Sequence, residues 1–276
     1  MKPLPAGLVC ASVMAAAVTL QSPLCLGAAL AGGVALLLAA PPPRRLYVVV
    51  AATTAVTVFA INPFVSTQGV TVLWQGPHVW DGLIDTQITL EELAYGAGSA
   101  ARIAATVLAA AAFIRLVDAD LLLRAVSRVA PRSAMIAALA TQMLPGLERD
   151  AHGLAMAART RGASLRSTRT AATLLPALLT MSLERSLATA ESMEARGYGA
   201  PGRTRAPERP MTATEWSAAA LGAAGLAVTC AALATAAGGF RYYQTLGDPF
   251  TWPAAATATG LALSGVAAGV VIRWRR

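Results

Sequence analysis

The sequence has 276 residues, of which 56% are hydrophobic and 13% charged, and its mean hydropathy is +0.57. So few charges cannot cover a water-soluble protein of this size, which excludes an ordinary soluble enzyme or binding domain. The apolar residues lie in long uncharged runs without the alternation of membrane barrel strands. We therefore expect an all-α, polytopic membrane helical bundle surrounded by the lipid bilayer.

The formal net charge is +8, and the basic residues are concentrated in one segment. Of the 22 Lys and Arg residues, 14 lie between Arg115 and Arg209. This clustering predicts that the segment lies at the cytoplasmic face of the plasma membrane. A nucleic acid partner is not expected, because the segment has one aromatic residue, Tyr198, and no recognition module.

The N-terminal part of the chain, 1–114, is predicted to contain four membrane spans. Residues 6–40 are uncharged and too long for one span of about 20 residues, and the polar Gln21-Ser22-Pro23 predicts a helical hairpin. A cleaved signal peptide is the less favoured alternative, because the apolar run resumes directly afterwards. Residues 46–61 and 93–114 form the third and fourth spans.

A polar loop at about 62–92 separates the third and fourth spans. It contains four acidic residues and no Lys or Arg, so we expect it to face the outside of the cell. Residues 67–73 and 84–90 are predicted to form either short strands or a re-entrant cover.

The segment 115–212 is predicted to be a cytoplasmic region of long amphipathic coupling helices. Three helices are expected, at about 118–129, 133–161 and 167–196. Proline predicts a break near Pro145 in the second and a kink at Pro176 in the third. The apolar runs 134–147 and 171–183 leave open a further helical hairpin in the membrane.

The third of these helices is predicted to have one apolar face. Leu183, Leu187, Ala190 and Met193 recur at helical spacing, whereas the charged side chains lie elsewhere around the helix.

The C-terminal part, 213–276, is predicted to contain the last two spans, at 213–237 and 252–272. Arg273, Arg275 and Arg276 then mark a cytoplasmic end. In this six-span model all basic clusters fall on one side of the membrane, with both termini inside.

No catalytic residue, cofactor or metal site is expected. Cys10, Cys25 and Cys230 lie in apolar runs, which predicts buried thiols rather than disulfides or metal ligands. The two histidines are far apart in the sequence. Because Lys2 is the only lysine, the chain has no phosphate-binding loop of the Gly-Lys-Ser/Thr kind.

Two predicted helix ends carry the same pattern, ARTRG at 158–162 and MEARG at 193–197. Each has an Arg in the last turn and a Gly just beyond it. For one isolated Arg-Gly the structural explanation is sufficient, since Gly supplies a left-handed cap and Arg complements the negative end of the helix dipole. Two such ends on consecutive cytoplasmic helices, however, present two fixed guanidinium groups to a partner.

These paired motifs resemble the T component of energy-coupling-factor (ECF) transporters, the cobalt-transport membrane protein family. The sequences ESME at 191–194, NPF at 62–64 and GVTVL at 69–73 also resemble that family. The resemblance covers about 44–200, and the remaining residues match only as generic spans.

The resemblance implies a non-catalytic coupling subunit of an ABC-type importer for a vitamin or metal ion. Its implied partners are two ATP-binding ATPase subunits and a small membrane-embedded substrate-binding subunit. The implied ATPase-coupling residues are Arg161, Gly162, Arg196 and Gly197, with Arg159 as an alternative to Arg161. The implied contacts with the substrate-binding subunit are Leu183, Leu187 and Met193.

Two other function classes stay open. A self-contained secondary transporter or channel should show intramembrane ionisable pairs or repeated broken helices, and only Arg102 fits that pattern, either lining a polar path or pairing with a neighbour. A membrane enzyme acting on lipid or isoprenoid substrates would need clustered Asp or His near the interface. The carboxylates there are expected to lie on solvated helix faces: Asp118, Asp120, Glu148 and Asp150.

Overall fold

The computed structural model describes residues 2–65, 71–75, 87–162, 168–198, 200, 209–235, 239–240, 242 and 251–274. In these residues the helices are α1 Pro3–Thr19, α2 Pro23–Ala39, α3 Arg45–Val65, α4 Leu90–Leu116, α5 Ala119–Val126, α6 Pro131–Thr160, α7 Thr168–Ala195, α8 Ala213–Ala234 and α9 Trp252–Trp274. Two short strands are β1 Val72–Gln75 and β2 Gln87–Thr89. The chain forms two compact units, one of Met1–Leu122 with Met211–Arg276 and the other of Leu123–Pro210.

The first unit is a bundle of apolar helices. Among the described residues, α3, α4, α8 and α9 are long and apolar enough to cross a bilayer. The helices α1 and α2 have 17 residues each, which corresponds to about 25 Å of helix, somewhat less than the hydrocarbon thickness. The predicted all-α, polytopic fold is confirmed, and each of the six predicted spans coincides with one of these helices.

The bundle is held together by close packing of small residues. The main pairs are α1 with α8 and α2 with α9, while α4 packs against α1 and α2, and α3 against α4. At the α2–α9 contact, a Cβ on Gly265 would lie 2.9 Å from the Cα of Gly32. At the α1–α8 contact, a Cβ on Gly222 would lie 2.6 Å from the amide nitrogen of Val9. Van der Waals contact between closely approaching backbones therefore stabilises helix association where lipid offers little hydrophobic driving force.

The start of α4 lies three residues before the predicted position, at Leu90 rather than at 93. The reason is a capping box: the Thr89 hydroxyl accepts from the Glu92 amide at 3.4 Å, and the Glu92 carboxylate accepts from the Thr89 amide at 3.2 Å. Glu91 also accepts a hydrogen bond from the Thr71 hydroxyl at 2.5 Å. These bonds fix the N-terminal end of α4 to the segment before β1.

The segment between α3 and α4 contains an antiparallel strand pair. Val72 pairs with Thr89, and Gln75 pairs with Gln87. Of the two predicted alternatives, short strands are present at 72–75 and 87–89. The rest of the predicted strand segments, at 67–70 and 84–86, lies outside the described residues.

The second unit contains two long helices, α6 and α7. The expected break near Pro145 is wrong, because α6 continues through it and α7 likewise continues through Pro176. A proline removes only one backbone donor, and the hydrogen bonds of the flanking turns keep the helix continuous. Neither α6 nor α7 is among the helices that are long and apolar enough to span a bilayer in the part of the chain that is described.

The three cysteines are free thiols, but they are not all buried. Cys10 and Cys25 are buried as expected, whereas Cys230 is exposed, so the prediction for Cys230 is wrong. The helix α8 buries one face against its neighbours, and an apolar residue on the opposite face is exposed to lipid.

Candidate coupling site

The C-terminal end of α7 is a complete Schellman cap. Arg196 follows the last helical residue, and Gly197 has a φ of 71°, in the left-handed region. The Gly197 amide donates to the Glu194 carbonyl at 2.8 Å, and the Tyr198 amide donates to the Met193 carbonyl at 2.9 Å. This pair of hydrogen bonds defines the motif and fixes the backbone on which Arg196 is carried.

The C-terminal end of α6 shares the left-handed glycine and the first capping bond of the α7 end. Arg161 is the C-cap residue, and Gly162 has a φ of 77°. The Gly162 amide donates to the Arg159 carbonyl at 2.9 Å, which is the bond equivalent to that of Gly197. The backbone therefore makes Arg161, and not Arg159, the structural equivalent of Arg196.

The arginines at these two ends are exposed. The side chains of Arg159, Arg161 and Arg196 are exposed, and so are Gly162 and Gly197. Each arginine is placed at the C-terminal end of its helix, where the partial negative charge of the helix end favours a cation. Both ends can therefore present a planar, permanently charged donor group to a carboxylate of another molecule.

The helices α6 and α7 are joined by an ion pair that sequence patterns missed. The Arg185 Nη2 atom lies 2.8 Å from the Asp150 Oδ2 atom and donates to Oδ1 at 3.1 Å. The side chain of Asp150 is only 15% exposed. The expectation of a solvated helix face is therefore wrong for Asp150, because α7 packs an arginine against it.

Gly146, one turn before Asp150 in α6, leaves the space that the Arg185 guanidinium occupies. A Cβ on Gly146 would collide with the Arg185 guanidinium. One turn earlier in α6, Met143 accepts a hydrogen bond at its sulfur from the Ser186 hydroxyl at 3.9 Å. The contact thus joins two turns of α6 to consecutive residues of α7.

Apolar side chains remain exposed along α7. Leu183 is 62% and Leu187 59% exposed, while Met193 is half-buried. Two further leucines, Leu175 and Leu179, are also more than half exposed and extend the row at steps of four residues. Leu175 and Leu179 were not predicted as part of this face, although their four-residue spacing is visible in the sequence.

The intramembrane Arg102 pairs with the end of a neighbouring helix. Its Nη2 atom donates to the Leu20 carbonyl at 3.3 Å, at the C-cap of α1. Nearby, the Tyr242 hydroxyl donates to the Gln21 carbonyl at 2.7 Å, and burial raises the pKa of Tyr242 despite the opposing charge of Arg102. Of the two roles expected for Arg102, pairing with a neighbouring group is thus observed.

No group of three or more His, Cys, Asp or Glu side chains that could hold a metal ion is present in the described parts of the chain. The fold and the exposed helix pair define a multi-pass membrane protein with a separate unit of two long helices.

The family model for the CbiQ cobalt transport protein matches residues 4–206. The chain therefore belongs to this family of membrane transport proteins. The match includes the first two membrane helices, so the expectation that the first 40 residues resemble the family only as generic spans is wrong. A comparison of the chain with curated proteins found no match.

Proposed function

We propose that this chain is the transmembrane coupling subunit of an ECF-type importer. In this proposal it transmits the ATP-driven motion of two ATPase subunits to a small membrane-embedded subunit that captures a vitamin or metal ion. The proposal is supported by membership in the cobalt transport protein family. The chain itself performs no ATP hydrolysis in this scheme.

The observation that carries the proposal is the equivalence of the two Arg-Gly ends. Both α6 and α7 end with an exposed arginine directly before a left-handed glycine, at Arg161-Gly162 and Arg196-Gly197. Each ATPase subunit would receive one of them in a groove lined by carboxylates. A guanidinium pairs with a carboxylate through two parallel hydrogen bonds. Such a pair fixes the orientation of the helix end in the groove as well as holding it there.

The exposed apolar row of α7 supports the second partner. Leu183 and Leu187 are exposed by more than half, and exposed leucines at this spacing bury favourably against another apolar helix. We assign this face, with Met193 at its end, to contact with the substrate-capture subunit. The basic segment and these helix ends are assigned to the cytoplasmic side of the plasma membrane.

The test compares arginine variants in the complex purified with its native partners. The variants are Arg161→Ala, Arg196→Ala, the double variant and Arg196→Glu, with Arg132→Ala as the matched control. Arg132 is exposed in the first turn of α6, far from the capped end. The measurements are ATP hydrolysis and substrate uptake in proteoliposomes.

Each single alanine variant should reduce uptake per ATP hydrolysed, and Arg196→Glu should reduce it further, because it places like charges in the groove. The control should behave as wild type. Full uptake by the double variant would reject the coupling role. Uptake by the lone chain in vesicles without ATP would instead favour a self-contained secondary transporter.

A further inference from the structure

We propose that the Asp150–Arg185 ion pair, seated over Gly146, is the crossing point that sets the spacing of the two Arg-Gly ends. The inference rests on the proposed coupling function, because it assigns positioning residues to that function. Its first evidence is the ion pair itself, with nitrogen and oxygen 2.8 Å apart. It is the point at which opposite charges from α6 and α7 meet among the described residues.

The two helices diverge away from this point. Gly146 and Gly153 are seven residues apart, so they lie on nearly the same face of α6, two turns from each other. A Cβ on Gly146 would meet Arg185 of α7, whereas a Cβ on Gly153 would meet nothing within 4 Å among the described residues. Among the described residues this face of α6 therefore meets α7 at Gly146 but not two turns later at Gly153, and the short contact between the two helices is what a crossing produces.

The crossing point is equally far from both ends. Arg161 follows Asp150 by eleven residues, and Arg196 follows Arg185 by eleven residues. Eleven residues are about three helical turns, or about 17 Å along each axis. Both arginines therefore lie at the same distance from the ion pair along their helices. A small change in the crossing angle of α6 and α7 moves both of them.

The Asp150–Arg185 ion pair favours one crossing angle between α6 and α7. The Asp150 side chain is only 15% exposed, so its charge is best stabilised when Arg185 lies against it. The absence of a side chain on Gly146 leaves the space that the guanidinium occupies. A larger residue there would displace the flexible arginine and weaken the ion pair without changing any charge.

The first experiment measures geometry and needs no partner. Spin labels are placed at Met156→Cys and Glu191→Cys, which are exposed positions near the two ends, in the full-length chain with its three native cysteines replaced, in lipid nanodiscs. Pulsed electron paramagnetic resonance gives the distribution of label distances. The variants are Asp150→Asn and Gly146→Ala. Their matched controls on the same helix are Glu148→Gln, which removes an exposed carboxylate, and Gly153→Ala, which adds a Cβ in open space.

Asp150→Asn and Gly146→Ala should each widen the distance distribution, with the ratio of native to non-native spacing falling about threefold, the effect of a partly exposed ion pair. The two controls should keep the native distribution. Exchanging the charges, with Asp150→Arg and Arg185→Asp together, should restore a narrow distribution. Unchanged distances in both Asp150→Asn and Gly146→Ala would overturn the inference.

The second experiment measures uptake per ATP hydrolysed by the same variants in the complex with native partners. Asp150→Asn should lower this ratio about threefold and the charge exchange should recover it. Altered distances with an unaltered ratio would overturn the positioning role. If Arg161 and Arg196 themselves proved dispensable, the coupling function would fail, while the distance measurements would still decide whether the ion pair sets the crossing.

Discussion

Gly197 and Gly162 hold backbone conformations that other residues adopt at a cost. Their φ angles of 71° and 77° lie in the left-handed region, where a Cβ approaches the neighbouring carbonyl oxygen. The Schellman hydrogen bonds of Gly197 depend on that conformation. Order at the end of α7 is therefore tied to a glycine next to Arg196, whatever partner the arginine binds.

Gly197→Ala should loosen the last turn of α7 by about 1 kcal/mol, since alanine pays the left-handed penalty. Amide hydrogen exchange at Gly197 and Tyr198, whose N–H groups make the two capping bonds, should then rise about fivefold. Hydrogen exchange followed by mass spectrometry of the full chain in nanodiscs measures this.

The control for this prediction is Gly153→Ala, inside α6. There alanine meets nothing within 4 Å among the described residues and favours the helix by up to about 1 kcal/mol, so exchange in α6 should slow or stay constant. Equal protection of the α7 end in Gly197→Ala and wild type would contradict the capping role.

At the residue scale, local patterns were predictable and long-range pairs were not. The Arg-Gly ends follow from the sequence because a helix cap depends on adjacent residues. The Asp150–Arg185 pair joins residues 35 positions apart, and its existence depends on where α7 crosses α6. The same applies to Arg102, whose acceptor is the Leu20 carbonyl, 82 positions away.

The elements of the membrane bundle depend on glycines at helix contacts. A Cβ on Gly222 of α8 would lie 2.6 Å from the Val9 nitrogen and 2.7 Å from the Leu8 carbonyl carbon of α1. Both atoms belong to the backbone, which cannot rotate away as a side chain would. By contrast, a Cβ on Gly27 of α2 would meet nothing within 4 Å among the described residues.

Gly222→Ala should therefore force α1 and α8 apart and destabilise the chain by about 2 kcal/mol, the usual effect of overpacking. The midpoint of thermal unfolding in detergent should fall by about 5 °C. The matched variant Gly27→Ala should leave the midpoint unchanged or slightly higher, because it adds helix propensity without a collision. A similar midpoint for both variants would mean that close packing at α1–α8 does not limit stability.

At the element scale, the six apolar helices were predictable because lipid leaves a chain few other ways to satisfy its backbone. The ends of these helices were less predictable. The capping box of Thr89 and Glu92 starts α4 at Leu90, three residues before the predicted start. The proline rule failed at Pro145, where the flanking turns keep α6 continuous. A rule based on one missing hydrogen bond does not account for the remaining bonds of a long helix.

For the whole molecule, the charge distribution makes a prediction about sidedness. The segment that carries α6 and α7 holds 14 of the 22 basic residues, while the segment between α3 and α4 is acidic and lacks Lys and Arg. Loops rich in Lys and Arg stay in the cytoplasm, so the two segments are expected on opposite sides of the membrane. The coupling proposal requires this arrangement, since the ATPase subunits and ATP are cytoplasmic.

Single cysteines test that arrangement in a chain whose three native cysteines are replaced. Val72→Cys, at an exposed position of strand β1, should react with a membrane-impermeant maleimide in intact cells. Glu191→Cys, exposed in α7 near Arg196, should react only after the membrane is permeabilised. Replacement of Leu183, which is 62% exposed on the same helix, provides a second position that should follow Glu191→Cys. Labelling of Glu191→Cys in intact cells would place the Arg-Gly ends outside, beyond the reach of any ATP-driven partner, and the coupling function would then be untenable.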